Sequence, residues 1–140
     1  MNTKLLMTLS AIILALIGIS LIFFPKEILD YFELIVTDTL KLLMQIIGSF
    51  YFAFAMLNWM SRESIIGGIY NRPIAIANWT HFAIAGFALI KGILSNPSFS
   101  YIIWSIGIIY SIFAILFGIL AFNHPPSETK IDNQGSREEE

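Results

Sequence analysis

The chain predicts an all-α integral membrane protein, a four-helix bundle with a short interfacial helix between the first and second spans. Three observations carry this. Of 140 residues, 56% are hydrophobic and 13% charged, against roughly a quarter charged in soluble domains. Mean hydropathy is +0.75. The apolar residues fall into four runs, at about 5–24, 40–60, 73–92 and 101–122, each close to the roughly 20 residues that cross a hydrocarbon core at 1.5 Å per residue.

In lipid every backbone N–H and C=O must bond internally, and four segments of this length and pattern cannot close a barrel, so each run is a helix. The first is read as a retained span rather than a signal peptide. Its apolar stretch is too long for a signal core, and Pro25-Lys26-Glu27 follows where a small-residue cleavage site would stand. Pro25 stops that helix, because a proline removes a backbone donor and clashes one turn back. In residues 26–39, Ile28, Leu29, Phe32, Ile35 and Val36 recur at helical spacing while Glu27, Asp30, Tyr31 and Asp38 fall largely elsewhere. That pattern suits a helix lying in the headgroups.

The second span ends before the Ser61 to Arg72 connection, and Pro73 suits the first turn of the third, where its missing N–H costs nothing. Asn96-Pro97 marks a tight turn into the fourth span, and Pro125-Pro126 ends it. The domain is therefore 1–122, and the polar tail, 123–140, has too little to bury and is expected to be disordered.

Composition also excludes. No cysteine is present, which removes disulfides, thiolate nucleophiles and Cys-ligated metals. A net charge of -2 with scattered basic residues leaves no electrostatic footprint for nucleic acid. With four crossings, Lys4, Arg62, Arg72, Lys130 and Arg137 share the side of both termini, while Lys26, Lys41 and Lys91 lie opposite. The positive-inside rule then places both termini in the cytoplasm.

Small residues allow helices to approach closely in lipid. The fourth span carries Gly107, Ser111, Ala114, Gly118 and Ala121 at steps of four and three, and the third carries Asn78, His81, Ala85, Ala88 and Gly92. These faces predict an antiparallel hairpin. The first span offers Thr8, Ala11, Ala15 and Gly18, and the second Gln45, Gly48, Phe52 and Ala55.

His81 is the one ionisable residue well inside a span, about 10 Å from the start of the third helix at 1.5 Å per residue. Tyr51 is expected at nearly the same depth, with Asn78 a turn away. An intramembrane ionisable group invites a functional reading, here a ligand site formed by His81, Tyr51 and Asn78; the bland alternative is a neutral histidine acting as interhelical glue. No carboxylate lies at that depth, so neither a metal site nor a cofactor is expected. The sequon Asn78-Trp79-Thr80 lies inside a span and out of a transferase's reach, while Lys91 is expected to snorkel to the outer interface.

Gly18 through Pro25 at the end of the first span, Gly48 in the second, the short Arg62-Glu63 to Arg72-Pro73 connection and the glycine-bearing fourth span resemble the DoxX-like, largely uncharacterised small bacterial four-helix membrane proteins. The likeness covers almost all of residues 5–122 and implies a bacterial inner-membrane bundle. Some DoxX relatives resemble subunits of quinone-linked oxidoreductases, and no catalytic residue is carried onto this chain. The leading expectation is a non-enzymatic accessory or structural subunit. The alternative is a binding protein or enzyme for a lipid-soluble molecule held near His81. Expected partners are the lipid bilayer, another membrane subunit or a lipophilic small molecule.

Overall fold

A computed structural model describes residues 2–64 and 71–122. All regular structure among them is helical: α1 Thr3–Phe23, α2 Pro25–Tyr31, α3 Asp38–Ser61, α4 Arg72–Ser95 and α5 Tyr101–Phe122. α1, α3, α4 and α5 are each long and apolar enough to cross a membrane, the make-up of a multi-pass membrane protein and compatible with a four-helix bundle. Between 11% and 33% of each span is buried within the protein, so most of its apolar surface needs an apolar environment outside the fold. The tail 123–140, with His124 and Pro125-Pro126, and 65–70 of the connection after α3 lie outside the described residues.

The chain divides into two compact units, Met1–Ser64 and Ile65–Glu140, each built on an antiparallel pair of long helices. In the first unit, Asn2 caps α1 by accepting from the Leu5 N–H at 3.1 Å, and Thr37 caps α3 by accepting from Leu40 at 3.1 Å. Each cap satisfies a donor that a helix start leaves open. Lys4 pairs with Glu63 at 2.8 Å, and Gln45 Nε2 donates to the Ile22 carbonyl at 3.3 Å. As numbering rises along α1 it falls along α3. At the end of α3, Arg62 donates to the Trp59 carbonyl at 2.7 Å and lies 3.9 Å over the Trp59 ring, a favourable place for a cation beside free helix carbonyls.

The segment after α1 departs from its expected pattern. Helical spacing continues in the sequence to Val36, yet α2 ends at Tyr31. Glu33 takes φ 55°, its N–H donates to Asp30 O at 3.1 Å, and the Leu34 N–H donates to Leu29 O at 2.9 Å. This bond pair is a Schellman cap, which closes the helix with a glutamate where glycine is usual. Pro25, which ends α1, also occupies the first turn of α2, where it sacrifices no bond.

In the second unit, Pro73 stands in the first turn of α4. Asn96 makes the turn out of it: its N–H donates to Gly92 O at 2.9 Å, its side-chain oxygen accepts from Ser98 N at 3.2 Å, and its carbonyl accepts from Phe99 N at 3.3 Å. The expected α4–α5 hairpin follows.

Candidate functional site

Two faces of the α4–α5 hairpin bear on function. One centres on His81. It is half-buried, with its ring 5.2 Å from Phe82 at 78° and 5.8 Å from Tyr110 at 50°. Phe82 is wholly buried and organises the cluster: it meets Tyr110 edge-on at 5.1 Å and stacks on Phe113 at 4.9 Å and Phe117 at 5.6 Å. Tyr110, Phe113, Phe117 and Ala121 recur at steps of three and four along α5 and are all buried, so one stripe of that helix supplies the wall.

Asn78 is fully buried one turn before Phe82, and its Nδ2 donates to Ile74 O at 3.0 Å. It thus bonds to its own helix's backbone. Tyr51, named with His81 and Asn78 from expected depth, lies half-buried on α3 of the first unit. Within the second unit Tyr110, which pattern reading passed over, packs on His81. Its signal was its place in the three-four repeat with Phe113 and Phe117.

The small-residue positions divide. Gly107 and Ala121 are buried, and a Cβ on Gly107 would lie 3.0 Å from Ile93. Ser111, Ala114 and Gly118 are half-buried, as are Ala85 and Gly92 of α4, whereas Ala88 is exposed. Ser111, Ala114 and Gly118 face Trp79, Phe82 and Gly86 across an open groove of about 410 Å³. This is the second face. Small side chains on α5 leave room that the rings on α4 border without filling.

The groove is almost wholly apolar. Ser111 Oγ donates to Gly107 O at 2.8 Å, which leaves the oxygen able to accept. Trp79 seals the end near Gly118, where a Cβ would lie 3.1 Å from the indole nitrogen, and it packs edge-on against Phe122 at 5.0 Å. Such a surface accepts hydrocarbon and offers no array of donors for a polar ligand. His81 does not line it. Among the described residues no three of His, Asp and Glu come together to hold a metal.

The first unit contains a polar pair that the sequence reading also missed. Ser10 and Asn58 are both fully buried, and Asn58 Nδ2 donates to Ser10 Oγ at 3.0 Å while that hydroxyl donates to Met7 O at 3.0 Å. The bond links α1 to α3, and no spacing within either helix identifies it. Comparison of the chain with protein-family models, with curated proteins and with solved structures returned no match.

Proposed function

We propose that this chain is a non-enzymatic multi-pass membrane protein of the DoxX-like type, an accessory or structural subunit of the bacterial inner membrane with both termini cytoplasmic. The observation that carries the reading is the setting of His81, the residue best placed for intramembrane chemistry. Its ring packs against Phe82 and Tyr110 at 5.2 and 5.8 Å, so it serves as one ring of an interhelical cluster. The excess of basic residues on the side of the termini supports the orientation.

Replacement of His81 by Leu tests the role. Intact folding with full complementation of a deletion strain is expected, and a folded variant that has lost function overturns it. Copurification in mild detergent tests for the partner subunit. A fluorescent tag at the C-terminus reports sidedness, and an extracytoplasmic signal would refute the orientation.

A second reading, a binding protein for a lipid-soluble molecule, is favoured by the α4–α5 groove of about 410 Å³. On this reading the ligand lies on the Trp79–Gly86 face, one side over from His81.

A further inference from the structure

The second unit carries an unusual charge pattern. Between Glu63 and Glu128 the sequence contains no acidic residue, and the only charged side chains there are Arg72 and Lys91. They stand at opposite ends of α4, Arg72 as its first residue and Lys91 one turn before its last. Lys91 stands nineteen positions after Arg72, about 28 Å along the helix, which matches a hydrocarbon core about 30 Å thick. The two cations therefore mark the two interfaces.

The groove occupies one half of that interval. Its α4 wall runs from Trp79 to Ile90, about 16 Å at 1.5 Å per residue, which is the depth of one leaflet's acyl region. Lys91 follows Ile90 directly and continues the row Trp79, Ala83, Phe87 at intervals of four, so it stands one turn past the groove's outer flank. The side chain is exposed, and no carboxylate among the described residues pairs with it.

From this juxtaposition we infer that the α4–α5 groove binds one acyl chain of an anionic phospholipid from the leaflet on the Lys91 side, with the head group held by Lys91. The inference rests on the binding reading above and specifies its ligand. The groove provides shape for hydrocarbon, and Lys91 at its mouth provides the preference for negative charge. A membrane-proximal lysine contributes about 1 kcal/mol toward anionic lipid, or about fivefold in affinity.

The test uses the full chain in mild detergent, titrated with phosphatidylglycerol or phosphatidylcholine of identical acyl chains, with native mass spectrometry reading the affinity of the first lipid bound. Phosphatidylglycerol is expected to bind about fivefold more tightly. Lys91→Gln should remove that preference and leave phosphatidylcholine unchanged, while Arg72→Gln should leave the preference intact. Ala83→Phe and, from the opposite wall, Ala114→Leu should weaken both lipids together, with helical content by circular dichroism confirming the fold. If Lys91→Gln keeps the preference, the head-group assignment fails while the groove stands. If neither folded filling variant weakens either lipid, the groove reading fails with it. Because the chain has no cysteine, Phe87→Cys and Ile115→Cys can report on the flanks; efficient cross-linking of two copies through them would overturn the inference in favour of a dimer interface.

Discussion

Gly18 and Gly48 bring the backbones of α1 and α3 into direct contact: a Cβ on Gly18 would lie 2.9 Å from the Gly48 carbonyl oxygen and 2.8 Å from Phe52 N, and one on Gly48 would lie 2.9 Å from the Gly18 oxygen. Backbone atoms cannot move aside as a side-chain tip can. Gly18→Ala or Gly48→Ala is therefore expected to force the helices apart and cost about 1–3 kcal/mol. Gly86 supplies the control, since a Cβ there meets Tyr110 at an ordinary 3.7 Å. Gly86→Ala should be neutral or slightly stabilising by the same thermal unfolding measurement in detergent.

The Ser10–Asn58 hydrogen bond, 3.0 Å long and fully buried, should couple the two helices energetically. A double-mutant cycle with Ser10→Ala and Asn58→Ala is expected to return a coupling of about 0.6 kcal/mol, the average for polar pairs between membrane helices, and no more than about 1.7 kcal/mol. Zero coupling would mean that the pair adds nothing beyond its packing.

Phe82 touches the rings of His81, Tyr110, Phe113 and Phe117. In lipid, burying a ring gains little by transfer out of water, but the cavity left by truncation still forfeits its contacts. Phe82→Ala should then destabilise by about 3 kcal/mol, the low end of the aqueous range for such truncations. Unfolding of the purified variant in detergent measures it.

Glu33 holds φ 55° in the cap of α2, a conformation disfavoured for residues with a Cβ by about 1–2 kcal/mol. Glu33→Gly removes that strain and in part offsets it by loosening the unfolded chain, for a net gain of about 0.5 kcal/mol. A lowered melting temperature would argue instead for a role of the Glu33 side chain.

The Lys4–Glu63 pair gives a pH signature. The hydrogen bond from Lys4 is the main cause holding the Glu63 carboxyl below its ordinary value of 4.5; desolvation opposes it, and the charges of Lys4 and Arg62 add smaller lowering contributions. A carboxyl lowered in the folded state stabilises fully above its unfolded value, and the contribution disappears as pH falls through the folded value. Wild type and Glu63→Gln should therefore differ in melting temperature at neutral pH and converge once the pH drops well below 4.5. The pair is exposed on both sides, so the difference is small and should also shrink with added salt.

The membrane-crossing elements were legible because their signals are local. Span length, Pro25 at the end of the first span, Pro73 at the start of the third, and the Asn96-Pro97 turn all act through the chain's own backbone. Gly18 and Gly48 were legible as contact positions, since each lies in a small-residue series and glycine alone permits such approach. Which stripe of each span turns inward was not. A helix in water reveals its buried face by contrast with polar residues, but a span is apolar all round, and lipid rewards Phe and Ile much as a protein core does.

The small residues at 107, 111, 114, 118 and 121 stood out along α5, while the tertiary structure buries Tyr110, Phe113 and Phe117 together with Gly107 and Ala121, and Ser111, Ala114 and Gly118 border a groove. The same limit hid Ser10 and Asn58, whose bond depends on the register of α1 against α3, and Tyr110, whose ring packs on His81. Helicity and the number of possible membrane crossings follow from the sequence alone, because each span must satisfy its own backbone hydrogen bonds. Which side chains meet emerges with the packed helices, because contacts between apolar helices depend on the shapes of both partners.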